Sequence, residues 1–332
     1  MLMKTAVVAL TKGGNILAGR ISAALDGCMH CHPREGVMAE IRRLWTEVDG
    51  LICIMAAGIV VRAVAPLCSD KKSDPCVIVL DEKGEYSISL LSGHLGGGNA
   101  LARKLALITG GQAVITTASD VTGHTALDLW IAANNLIAAN PGKLTCLSAR
   151  LVNEGHLRFF SDQNIEGLPE DFLWQKKITL ADIIISPVIQ DSYDIFRLIP
   201  KNLFIGFGCN RGTTIAEFES ALDDLSRMHL LDRRAIAGLA SIDLKSDEEG
   251  LLGFAEKMQL PIRFFSKDEL NTVSGISTSQ AVLKATGAKG VAEPAAVLAA
   301  STQNESGRLL IRKIKWKNVT AAVAAQTIHL KE

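Results

Sequence analysis

The sequence predicts an α/β protein: two α/β domains with mostly parallel sheets, joined by a smaller middle segment. Three observations carry this. Through residues 1–135, short apolar strand runs alternate with segments whose apolar residues recur at helical spacing, the pattern of a parallel sheet covered by helices. The alternation restarts near residue 201 and runs to 332. Residues 136–200 are less regular and hold turn signals such as Asn140-Pro141-Gly142. A length of 332 residues suits two or three domains of about 100–200 residues each.

The first predicted strand is "TAVVAL" (5–10), and "EIRRLWTEV" (40–48) has the spacing of a helix. "GLICIMA" (50–56) reads as a buried strand. "CVIVLDEKGEYSISLL" (76–91) reads as two strands joined by a turn at Glu82-Lys83-Gly84. A glycine loop follows, then a helix with Leu101, Leu105 and Ile108 on one face, and "QAVITTAS" (112–119) as a strand. In the middle segment "ADIIISPVI" (181–189) is strand-like. The last domain opens with "NLFIGFGCNRGTT", a strand running into a glycine loop, and the amphipathic helix "IAEFESALDDLSRM". "IAGLASIDLKSDEEG" reads as a strand and an acidic helix start, and "PIRFFSKDEL" as a strand and turn. "TSQAVLKATG" and "VAEPAAVLAAS" are helical, and "RLLIRKIKWKNVTAAVA" is a closing hairpin. Both end domains share one device, a strand that enters a glycine-rich turn and opens a helix.

Composition excludes several classes of function. Lys+Arg and Asp+Glu are equal at 35 each, so the basic field of a nucleic-acid protein is missing. No apolar run approaches the ~18 residues that span a bilayer. The apolar run of "MLMKTAVVALTKGG" is too short for a secretory leader, so a cytoplasmic protein is expected. Seven scattered cysteines, an odd number, fit reduced thiols rather than a disulfide framework. "CMHCHP" (28–33) has the residue types of a zinc site, but four ligands this close in sequence rarely fold around one ion, and no second pair stands at finger or ribbon spacing. No metal site is expected.

Candidate site residues gather at the ends of strands. In "LLSGHLGGGNALARK" (90–104), glycines precede a helix whose first amides are unpaired and whose N-terminus is partly positive, so an anion or oxyanion is suited to that place. His94 is a candidate base, with Ser92, Gly96, Gly97, Gly98 and Asn99 around it; the other reading is a tight turn capped by His94. "ITTASD" (115–120) ends a strand with Thr117 and Asp120, where open α/β sheets bind ligands, or where Asp120 simply caps the next helix. Arg62, set in the apolar run "GIVVRAVAP", needs an anionic partner if buried, and Lys71 and Lys72 follow it. "GFGCNRGT" (206–213) nearly matches a dinucleotide fingerprint, but Arg211 stands where the third glycine belongs. Gly208, Asn210 and Arg211 therefore suit a carboxylate better, and Cys209 reads as a packed thiol. Asp243 and Lys245 alternate onto one face of a predicted strand, and Ser246 or Asp247 would cap the helix after it.

Several of these stretches together resemble one family. "GIVVRAVAPL", "KKSDPCVIVLDEKGEYSISLLSGHLGGGNALARKLA" and "VITTASD" are similar to the N-terminal part of the cobalt-precorrin-5A hydrolases of anaerobic cobalamin biosynthesis. "IGFGCNRGT", "IAGLASIDLKSDEEGLL" and "LPIRFFSKDEL" resemble their C-terminal domain, which also occurs alone in the aerobic pathway. The family more often has Ala at the place of Gly98, Thr at Ser119 and a basic residue at Asn210. The resemblance implies an enzyme that opens the δ-lactone of a cobalt-bearing tetrapyrrole and releases acetaldehyde. The reading of the residues fits that chemistry, with catalytic roles expected for His94 and Asp120 and substrate contacts for Arg62, Arg211, Lys245 and the glycine loops. The resemblance implies no cofactor, since cobalt arrives with the substrate, and neighbouring pathway enzymes as partners. The alternative is a carrier that binds corrinoid intermediates without chemistry.

Overall fold

The computed structural model describes residues 3–70, 73–94, 96–118, 122–189 and 195–331. It divides into two compact units, Met1–Leu129 and Trp130–Glu332.

The first unit runs β1 (Thr5–Ala9), α1 (Lys12–Ala24), β2 (Cys28–Cys31), α2 (Val37–Leu44), β3 (Gly50–Ile54), α3 (Ala57–Val64), β4 (Cys76–Leu80), β5 (Tyr86–Leu91), α4 (Gly98–Thr109) and β6 (Gln112–Val114). The six strands form one sheet in the order β2-β1-β3-β4-β5-β6. β1, β3 and β4 are buried at every residue, and their unbroken apolar runs are what a parallel strand covered on both faces requires. One face packs under α1 and α4 through Leu17, Ile21, Leu101 and Leu105. The other packs under α2 and α3 through Ile41, Leu44, Val60 and Val64. Cys28 joins the first core and Cys31 the second, so the "CMHCHP" thiols turn to opposite faces of the sheet.

One reversal sets the site. β4 and β5 are antiparallel, joined by a turn in which Asp81 accepts from the N–H of Lys83 at 2.8 Å and of Tyr86 at 2.7 Å. β6 is parallel to β5. The C-terminal ends of β5 and β6 therefore share one edge of the sheet, beside the N-terminal ends of β1, β3 and β4. β6 stops at Val114, shorter than the predicted strand to 119, because its pairing with β5 ends at Ile88.

In the second unit the chain continues through α5 (Leu127–Ala133, which begins in the first unit), β7 (Ile137–Ala138), α6 (Leu144–Glu154), β8 (Leu157–Ser161), β9 (Ile165–Glu166), β10 (Phe172–Trp174), β11 (Ile183–Ile185) and β12 (Phe196–Ile199). Residues 136–200 thus build a sheet of their own, β10-β8-β11-β12-β7, parallel except at β7. Then come β13 (Leu203–Cys209), α7 (Ile215–His229), β14 (Ile236–Ile242), α8 (Glu249–Lys257), β15 (Ile262–Phe265), α9 (Lys267–Thr272), α10 (Gln280–Thr286), α11 (Ala292–Ala300), β16 (Arg308–Lys315), β17 (Val319–Ala325) and β18 (Ile328–His329). β15-β14-β13-β17-β16 form the last large sheet, with β17 antiparallel to both its neighbours. The ends of β13, β14 and β16 and the start of β17 consequently meet at one edge. Among the described residues no helix is long and apolar enough to cross a membrane.

Candidate functional site

Among the described residues, candidate residues gather at one place in each unit. In the first, β5 ends at Leu91 and the chain turns sharply. Ser92 has φ +52°, a left-handed conformation unusual outside glycine, and its Oγ is buried with no hydrogen-bond partner among the described residues. The N–H of Gly97 donates to His94 O (2.8 Å), that of Gly98 to Ser92 O (3.2 Å) and that of Asn99 to Gly93 O (2.8 Å). Within this loop His94 Nδ1 lies 3.4 Å from Asp128 Oδ1, with each side chain under a fifth exposed. Asp128 sits in the first turn of α5. A carboxylate on one ring nitrogen sets the tautomer and orientation of an imidazole. Beneath the loop, buried Asn99 donates from Nδ2 to Thr117 Oγ1 at 3.1 Å.

The loop's glycines answer first to its own packing. A Cβ on Gly96 would stand 2.5 Å from Ser92 Cβ, and one on Gly98 would stand 3.1 Å from Leu91 O and Ser89 Oγ. Gly97 has φ +78°. Three amides of the Gly96–Asn99 stretch are already held by backbone carbonyls, so the expected oxyanion cradle of helix-terminal amides is largely filled by the loop itself.

The second place is the shared strand edge of the last sheet. A cleft of about 460 Å³ opens there. Gly208 and Cys209 from the end of β13, Ile242 and Lys245 from β14 and its following turn, and Val291 form its floor and back. α10 supplies one wall and the β16–β17 turn the other. Lys245 Nζ donates to Glu248 Oε2 at 3.0 Å, and the Gly212 N–H donates to Glu248 Oε1 at 2.6 Å. Burial would raise the Glu248 carboxyl, but those two partners outweigh it and hold it below its ordinary value. Burial pushes the Cys209 thiol up despite nearby Lys245, so it stays protonated, as expected of a packed thiol. Asn210 is tied to the hairpin, its N–H to Asn318 O and its Nδ2 to Asn318 Oδ1, both 3.0 Å.

Other expected site residues fall elsewhere. Arg62 is exposed on α3 and donates to Gly58 O at 3.1 Å, one turn back, so no buried anion is needed; the helix turns its apolar neighbours inward and the arginine out. Asp243 and Lys245 are not on a strand: β14 ends at Ile242 and residues 243–245 form a 3₁₀ turn, which leaves Asp243 exposed outside the cleft. Glu248, not Ser246 or Asp247, stands at the helix cap. Arg211 is exposed, pairs with Asp247 at 2.5 Å and donates to Leu244 O at 2.8 Å. It borders a separate hollow with Thr213 and Gly250, not the cleft of Lys245. Asp120, Ser119, Lys71 and Lys72 lie outside the described residues.

Two site features were missed from sequence. Asp128 is 34 residues beyond His94, and nothing in spacing alone joins them. Lys313, Lys315 and Lys317 line the cleft, and their alternation within "RKIKWKN" was a signal, read only as a hairpin.

The comparisons with known proteins bear on both places. The family described as "Cobalamin synthesis G N-terminal" matches residues 39–120, and "Cobalamin synthesis G C-terminus" matches residues 203–324. A relative from Salmonella typhimurium named "Cobalt-precorrin-5A hydrolase" is 32% identical over 343 residues, covering 95% of each chain. The chain belongs to the cobalt-precorrin-5A hydrolase family. A second hydrolase of that name, from Priestia megaterium, is 36% identical over 304 residues, 85% of this chain and 79% of the relative. "Protein CobE" from Sinorhizobium sp is 30% identical over 128 residues, 37% of this chain and 79% of that protein. Within the cobalt-precorrin-5A hydrolase match, the first family segment takes in the His94 loop and the second takes in the lysine cleft.

Proposed function

We propose that the chain is itself a cobalt-precorrin-5A hydrolase. The observation that carries this is the 32% identity to a relative of that name over 95% of both chains. In this reading the substrate is a cobalt-bearing, ring-contracted tetrapyrrole whose ring A acetate is closed as a δ-lactone onto the extruded meso carbon. Water adds to the lactone carbonyl and the ester C–O bond breaks, giving a carboxylate and a freed hydroxyl. Loss of the hydroxyl proton forms the C=O of acetaldehyde as the carbon–carbon bond to the macrocycle breaks, its electrons passing to the ring. One water enters and one acetaldehyde leaves.

His94, oriented by Asp128, is suited to take a proton from water and then from the freed hydroxyl. The buried Ser92 hydroxyl of the same loop and the Asn99–Thr117 pair, from α4 and the segment after β6, add hydrogen-bonding groups. Lys245, with Gly208 and Asn210 beside it, supplies positive charge for the substrate's carboxylates. Cobalt enters as part of the substrate, and the reading gives the protein no metal or cofactor of its own. It also places the protein in the cytoplasm, where neighbouring pathway enzymes supply and take the intermediate.

The test is anaerobic incubation with cobalt-precorrin-5A, trapping acetaldehyde and weighing the macrocycle by mass spectrometry. The expected result is acetaldehyde together with a macrocycle that has gained H₂O and lost C₂H₄O. An unchanged macrocycle that co-elutes with the protein would instead make it a carrier.

A further inference from the structure

We infer that the cleft of the last sheet grips the carboxylated rim of a tetrapyrrole, and that Lys313, Lys315 and Lys317 are its specificity-determining residues. This rests on the substrate class proposed above and names where that class is recognised. Among the described residues four lysines line the cleft, these three and Lys245, and no Asp or Glu does. The chain as a whole is balanced in charge, so the imbalance is local. Lys245 is already paired with Glu248. The other three come from one short stretch at the end of β16 and its turn into β17, at the edge where α/β sheets receive ligands.

Ile242, Val282, Ala285, Val291 and Val319 give the lining an apolar part, and Ser279, Thr286, Asn318 and Thr320 add neutral polar groups. A cleft with apolar side chains beside several cations matches a flat macrocycle whose face is apolar and whose edge carries acetates and propionates. It suits a nucleotide less well, since the fingerprint glycine at position 211 is missing and the arginine there faces away. Lysine stems can lie along apolar surface while their ammonium groups reach the rim.

The two walls are tied from beneath. Buried Glu293, at the start of α11, accepts from Ser277 N (2.6 Å), Ser277 Oγ (3.0 Å) and Lys313 N (2.9 Å). One carboxylate thus fixes both the lysine strand and the segment leading into α10.

The experiment uses the full chain and uroporphyrin, an octacarboxylate tetrapyrrole, followed by fluorescence quenching. Uroporphyrin is expected to bind and to weaken steeply with salt. K313Q/K315Q/K317Q should lose about tenfold or more in affinity, and raise KM for cobalt-precorrin-5A while leaving kcat near wild type. K176Q/K177Q/K201Q removes the same charge from exposed positions in the same unit and should change neither. If the triple variant does not fold, K315Q/K317Q carries the test, since both side chains are exposed. Affinity and KM equal to those of the control overturn the inference, while acetaldehyde release still upholds the hydrolase. Loss of uroporphyrin binding in the lysine variants of a protein that releases no acetaldehyde upholds the cleft and sinks the hydrolase.

Discussion

At the scale of single residues, the glycine loop separates chemistry from packing. His94→Ala should cut turnover by about 10²-fold or more if the imidazole is the base. Asp128→Asn should lower kcat about tenfold with KM little changed, because the ring would lose its orientation but not its place. Near-normal kcat in a folded His94→Ala variant would remove it from that role. The glycines make a different forecast. Gly96→Ala forces a Cβ against Ser92 and should cost about 1–3 kcal/mol, read as a lowered Tm. Gly98→Ala meets atoms at 3.1 Å, which need to give by only a few tenths of an ångström, and should cost less. Equal losses at the two positions would refute this. His94 and the glycines were legible in the sequence because they are contiguous. Asp128 was not, since its approach depends on where α5 begins in space.

At the scale of elements, period and turn chemistry were readable wherever a segment obeys one rule. β1, β3 and β4 are apolar at nearly every position because helices cover both faces. α7, read from its amphipathic spacing alone, also carries a cap: Thr214 accepts from the Glu217 N–H, and Glu217 accepts in return from the Thr214 N–H at 2.9 Å. Thr214→Ala should therefore cost about 1 kcal/mol in chemical denaturation, with the melting transition still single. No change would mean that packing of Phe218 and Leu222 alone holds the helix. Asp243 and Lys245 were misread for the converse reason. Alternation in a strand-like run continues past the last ladder bond, and only pairing shows that β14 ends at Ile242.

At the scale of the molecule, ion pairs join the elements that sequence order separates. Arg197 on β12 donates to Asp232 at 2.7 Å, and Arg234 donates to the same carboxylate at 2.8 Å. Burial would raise the Asp232 carboxyl, but the two arginines overcome it and bring it down to about 2. Its folded value lies below its unfolded one, so its contribution is present above about pH 4 and is lost as pH falls towards 2. That contribution is about 2 kcal/mol. Denaturation between pH 5 and 2 should show this loss in the wild type, and Asp232→Asn should flatten that part of the profile. An unchanged acid slope in the variant would show that other carboxylates set it. Asp232→Asn should also lower stability at neutral pH by about 3–5 kcal/mol, since Arg197 would be left buried and short of a partner.

The sequence by itself determined the α/β class, the order of most strands and helices, the two glycine loops and the family. Those depend on local period, turn residues and contiguous motifs, which the chain carries along its length. Only the tertiary structure decided the reversal of β5 and β6, the meeting of His94 with Asp128, the outward turn of Arg62 and Arg211, and the lysine cleft. Each of these is set by which strands pair and in which direction, and pairing joins residues far apart in the chain whose spacing records nothing of it.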